Sequence, residues 1–96
     1  MNIHIEQNGT KIDDRFEDQI RTKVAGLERY YDHIIDLIVY LHQERENKEV
    51  ELKVIVKEDT LFVKETSDTF LNALEISVQS MQLRLKKYKE KTLKNI

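Results

Sequence analysis

Apolar residues along this chain change period several times, and each change marks an element. In "NIHIE" (2–6) Ile3 and Ile5 alternate with polar neighbours, the pattern of a short half-buried strand. "QNGT" (7–10) ends it, because Asn-Gly tolerates the positive φ of a tight turn. From Asp13 to Tyr31 the spacing lengthens. Phe16, Ile20, Val24, Leu27 and Tyr31 recur every three or four residues, which makes one stripe of a helix. Asp13 or Asp14 is placed to cap it, Glu17 and Asp18 suit the positive end of its dipole, and "DH" (32–33) closes it. Alternation then returns. "IIDLIVYLHQE" (34–44) sets Ile35, Leu37, Val39 and Leu41 on one face, and "VELKVIVK" (50–57) does the same with Val50, Leu52, Val54 and Val56. "LFVKET" (61–66) follows with Leu61 and Val63 inward, and the reversals "ENKE" (46–49) and "EDT" (58–60) join the three strands as successive hairpins. "SDTF" opens a long second helix, with Ser67 or Asp68 as cap and Phe70, Leu74, Ser77, Val78, Met81, Leu85 and Tyr88 as its buried stripe.

The predicted order is β-α-β-β-β-α. Each helix has one apolar stripe and the sheet one apolar face, so an α+β fold is expected, a four-stranded sheet with both helices on the same face. The first βαβ step predicts strand one parallel to strand two through a right-handed crossover. Residues 1–96 make a single domain at this length, with a core that must be well patterned rather than large.

Composition narrows the function. The chain has no Cys, which excludes disulfides and thiolate chemistry. No apolar run approaches the roughly 20 residues of a membrane span, and "MNIHIEQNG" does not read as a signal peptide. A cytoplasmic protein with no membrane partner is expected. His4, His33 and His42 fall in separate elements with no metal-ligand spacing, and the adjacent carboxylates Asp13–Asp14 and Glu58–Asp59 sit at cap and turn positions. No phosphate-binding loop, dinucleotide fingerprint or nucleophile elbow occurs. The sequence therefore predicts no enzyme, no cofactor, no metal and no small-molecule substrate.

Charge is the exception to this plainness. The formal net charge is −2, yet residues 84–96 carry Arg84, Lys86, Lys87, Lys89, Lys91 and Lys94 against the single acid Glu90. On a helix Arg84, Lys87, Lys91 and Lys94 form one ridge beside the buried stripe. Lysines at a helix C-terminus complement the macrodipole, but that effect fades within the last turn and does not reach Arg84. The ridge spans roughly 15 Å of helix, against a Debye length of about 8 Å in physiological salt. A phosphate meeting it feels the ridge more than the distant acids, and such one-faced clustering is the footprint of a polyanion binder. Arg15, Lys23 and Arg29 fall on one flank of the first helix and would border the same groove if the helices lie side by side. The alternative surface is the outer sheet face, where Ile38, Tyr40, Ile55 and Phe62 sit among Lys53, Lys57 and Lys64 and would suit a protein–protein adaptor.

The element order, "KVAGLERYYDHI" (23–34) and "SDTFLNALEISVQSMQLRLKKYKEK" (67–91) together resemble the ribosome hibernation-promoting factor family, also called ribosome-associated inhibitor A and, in older usage, sigma-54 modulation protein. The resemblance covers essentially the whole chain. It implies a fold similar to the double-stranded-RNA-binding domain with one strand added in front. It also implies binding to rRNA of the small ribosomal subunit in the mRNA and tRNA channel, blocking translation in stationary or starved cells. Carried over by motif position, the implied rRNA contacts are Lys23, Arg29, Arg84, Lys86, Lys87, Lys89 and Lys91. Two positions depart from the family's pattern. Gly26 stands where Lys is common, and "MQLRL" (81–85) puts Leu83 at a usual basic position with Arg84 beside it, which rotates the ridge by one residue. The resemblance is to the short form, which would need a separate protein to help pair ribosomes. The older label favours the adaptor alternative, a regulator of transcription acting through the outer sheet face.

Overall fold

The computed structural model describes the backbone of residues 1–94 and the side chains of residues 1–92. Strand β1 (Asn2–Asn8) leads to helix α1 (Asp14–Ala25), which tightens into a 3₁₀ turn over Gly26–Arg29. Strands β2 (Asp36–Glu44), β3 (Asn47–Ile55) and β4 (Thr60–Ser67) follow, and helix α2 (Phe70–Lys94) is the last described element. The sheet order is β1-β2-β3-β4, with β1 parallel to β2 and the two hairpins antiparallel. This is the β-α-β-β-β-α architecture the periodicity predicts.

The core lies between the sheet and the helices. Leu37, Val39, Leu41, Val50, Leu52 and Val54 from the sheet meet Ile20 and Val24 of α1, Leu27, and Phe70, Ala73, Leu74, Met81 and Leu85 of α2. Burying a Leu or Val side chain contributes about 1.5–3 kcal/mol, so this layer holds the helices on one face. Ser77 is the polar residue buried in the stripe, and its hydroxyl donates to the Leu74 carbonyl at 2.8 Å. That bond satisfies a group whose burial would otherwise be costly.

Several local expectations shift. The first helix ends its α-helical run at Ala25, and Tyr30 N–H bonds the Leu27 carbonyl three residues back. Gly26 weakens α-helix at that point, and 3₁₀ turns commonly finish helices. Leu27 stays buried through the change. Ile35 does not face inward with Leu37, being 50% exposed, while Ile34 is buried instead. The strand begins only at Asp36, so the alternation does not extend back across the bend. Asp13 caps α1, its carboxylate accepting from Phe16 N–H at 2.8 Å. The cap of α2 is neither Ser67 nor Asp68. Ser67 ends β4, and Thr69 Oγ1 accepts from Asn72 N–H at 3.1 Å. The β2–β3 reversal is tighter than expected, a two-residue loop at Arg45–Glu46 with Arg45 at φ 59°.

Gly9 is required by the backbone. Its φ is +76°, and a Cβ there would lie 2.5 Å from the Gln43 carbonyl oxygen. That turn is also tied by Ile12 N–H donating to Gln7 Oε1 at 2.8 Å.

Candidate nucleic-acid interface

Length positions the basic end of α2. Its 25 residues run about 37 Å, whereas the eight residues of β4, against which it packs, span only about 27 Å. The two are joined by a short turn, so the last turns of α2 overshoot the sheet. Among the described side chains Tyr88 is the last half-buried one, and residues 89–92 are exposed.

The cations of α2 divide between two flanks. On the β4 side, Arg84 Nη1 donates to the Phe62 carbonyl at 2.9 Å. Arg84, Lys87 and Lys91 line a groove floored by Leu61 and Tyr88. This is the predicted ridge; the Lys94 side chain lies outside the described residues. On the α1 side, Lys86 Nζ stands 5.3 Å from the centre of the Tyr30 ring, a cation–π contact. Lys89 is one turn from Lys86 on that flank and is exposed. Leu83, one turn before Lys86, is 60% exposed.

Lys23 and Arg29 border a second groove between the helices, with Gly26, Glu75, Val78, Gln79 and Gln82 among its other walls. Its α2 wall is polar and acidic rather than basic. Lys23 Nζ lies 3.3 Å from Glu75 Oε1, so α2 partly neutralises the α1 cation. The basic flank of α1 and the Arg84–Lys87–Lys91 ridge therefore border different grooves, because α2 turns its ridge toward β4. Arg29 Nε donates weakly to the Gly26 carbonyl at 3.4 Å, and Arg15 extends the α1 flank beside Lys23.

Two tyrosine rings packed against the core join it to the basic end. Tyr31 and Tyr88 meet edge-to-face with centroids 5.3 Å apart, and Tyr31 meets His33 in the same manner at 5.6 Å. Partial burial, foremost, then Tyr88 and the carboxylates of Asp32 and Glu58, push the Tyr31 phenol above the ordinary tyrosine value. Leu61 and Tyr88 belong to the basic surface although their pattern reads as core, and Tyr30, outside the apolar stripe of the first helix, joins them through Lys86. The signal for Tyr88 was its place at the edge of the stripe with lysines on both sides.

The histidines stay apart, His4 beside Asp36, His33 beside Asp32 and His42 beside Glu44. The outer sheet face mixes signs. Ile38, Tyr40 and Ile55 are half-buried there, Phe62 is 47% exposed under Lys53, and Lys64 pairs with Glu49 at 3.6 Å.

The sequence profile of the family described as "Sigma 54 modulation protein / S30EA ribosomal protein" matches residues 3–93. The chain belongs to this family. A ribosome hibernation promotion factor of Bacillus subtilis is 24% identical over 95 residues, 95% of this chain and 50% of that protein. The chain thus spans half the length of the curated relative it matches. Two solved structures share the S30EA-family fold seen here. A ribosomal subunit interface protein from Coxiella burnetii superposes with a TM-score of 0.88 at 20% identity, over 94% of this chain and 99% of that one. The N-terminal domain of Thermus thermophilus Protein Y gives 0.82 at 24% identity, over 92% of this chain and 99% of that one.

Proposed function

We propose that this S30EA-family chain is a cytoplasmic ribosome hibernation factor. It binds rRNA phosphates of the small subunit, occludes the mRNA and tRNA channel and inhibits translation without catalysis. The observation that carries this reading is the basic surface at the end of α2, where Arg84, Lys87 and Lys91 converge on one groove and Lys86 and Lys89 occupy the opposite flank. Lys23 and Arg29 on α1 extend it. Family membership and the names of its relatives support the ribosome as the polyanion. The outer sheet face is a weaker candidate surface, since its cations stand among Asp36, Glu49 and Glu51.

Co-sedimentation of the purified protein with ribosomes over a salt series tests the proposal. With about five phosphates neutralised, log K should fall against log salt with a slope near −4, roughly 10² in affinity between about 50 and 200 mM. Binding should go to the small subunit and be displaced by mRNA or tRNA. Absence of binding at low salt would defeat the reading.

A further inference from the structure

The groove between β4 and the last turns of α2 has a composition that phosphate binding alone does not require. It is an open cleft of about 410 Å³ lined by Leu61, Arg84, Lys87, Tyr88 and Lys91, so among the described residues apolar, aromatic and cationic groups line it without a carboxylate. Two of the liners are held in place. Arg84 is fixed by its 2.9 Å bond to the Phe62 carbonyl, and Tyr88 by edge-to-face contact with Tyr31 at an interplanar angle of 85°. The three cations cover about 10 Å of helix along one side of the apolar floor.

We propose that this groove receives one unpaired RNA nucleotide, its base against Tyr88 and Leu61 and its flanking phosphates on Arg84, Lys87 and Lys91. The inference rests on the rRNA-binding reading and specifies the kind of RNA bound. Duplex RNA keeps its bases stacked inside and offers phosphates and 2′-hydroxyls, for which an aromatic floor has no use. Unpaired bases instead stack on aromatic side chains beside a basic track. A duplex phosphate could also seek the N-terminus of a helix, but Asp68 precedes α2 and its first turn, Phe70–Ala73, holds no cation.

The test compares three RNAs of equal length by fluorescence anisotropy with the intact chain. They are a single strand with 2-aminopurine at its centre, the same strand abasic at that position, and a duplex. The intact single strand should bind about five- to hundredfold more tightly than the abasic strand, the range expected for one stacked base. It should also outbind the duplex, and 2-aminopurine emission should be quenched on binding. Tyr88→Leu should abolish the preference for the intact strand while retaining salt-dependent binding. If that variant does not fold, the abasic comparison on the unaltered protein still decides. Equal affinity for intact and abasic strands, a preference for duplex, or displacement by a mononucleotide as effective as by the strand would each overturn the proposal. Salt-dependent ribosome binding alongside equal intact and abasic affinities would remove the stacked base alone. Loss of ribosome binding with the strand preference intact would remove the ribosomal reading.

Discussion

Lys23 of α1 and Glu75 of α2 form an ion pair at 3.3 Å across the groove between the helices, with side chains 32% and 49% exposed. An exposed pair of this kind contributes about 0–1 kcal/mol to stability, but it engages a cation that the proposed rRNA contact would use. Glu75→Gln should leave the melting transition nearly unchanged. It should tighten ribosome binding and steepen the salt slope by about one. An unchanged slope would mean that Lys23 does not meet the polyanion.

Removing Arg84, Lys87 and Lys91 together by Ala should flatten that slope by about 2–3. Stability should fall by only about 1 kcal/mol, the size of the lost Arg84–Phe62 hydrogen bond. Lys53, Lys57 and Lys64, replaced together by Ala, remove the same charge from the outer sheet face and the adjoining turn, and should leave binding close to normal. Comparable losses in the two variants, read by co-sedimentation, would show net charge rather than position at work.

Gly26 has right-handed dihedrals, φ −61° and ψ −17°, and a Cβ added there meets only the tip of the Arg29 side chain at 3.2 Å. Glycine is thus not demanded by the backbone, in contrast to Gly9. Gly26→Lys should fold, gain up to about 1 kcal/mol of helix propensity and add a cation to the groove of Lys23 and Arg29. Denaturant unfolding and the salt series check both effects. A destabilised variant would mean that this turn needs glycine.

Tyr31 carries a phenol shifted upward from 10.0 by burial first and by its neighbours after that. The protonated form is favoured in the folded chain, so its contribution is complete below the unfolded value and is lost as pH rises through the folded one. An ultraviolet difference titration of the native protein against Tyr31→Phe should show this phenol ionising at higher pH than in the denatured chain. Ionisation at the denatured value would show that the contact with Tyr88 does not shield it.

The strands and helices were legible because their periods are properties of the chain itself. Leu37, Val39 and Leu41 alternate, and Leu74, Met81 and Leu85 recur by helical turns, and all six are buried as that pattern requires. The structure departs from the pattern at the ends of elements. Ile35 belongs to the alternation by position, but lies outside the strand that would have turned it inward. Thr69 took the cap from Ser67 and Asp68 because β4 runs on to Ser67 and delays the helix start. The candidate site was legible as a concentration of cations and no further. Tyr88 and Leu61, which floor the groove, carry the same apolar signal as core residues.

The sequence alone determined the order of elements, the faces they bury and the basic end of the second helix, since each follows from local spacing. Only the tertiary structure decided which neighbour each flank of that helix meets. Spacing gives an angle about the helix's own axis and leaves open what lies across the gap. Packing of α2 on β3 and β4 set Arg84 against the Phe62 carbonyl and Glu75 against Lys23, partners 22 and 52 residues apart in the chain. It thereby separated the cations into two grooves.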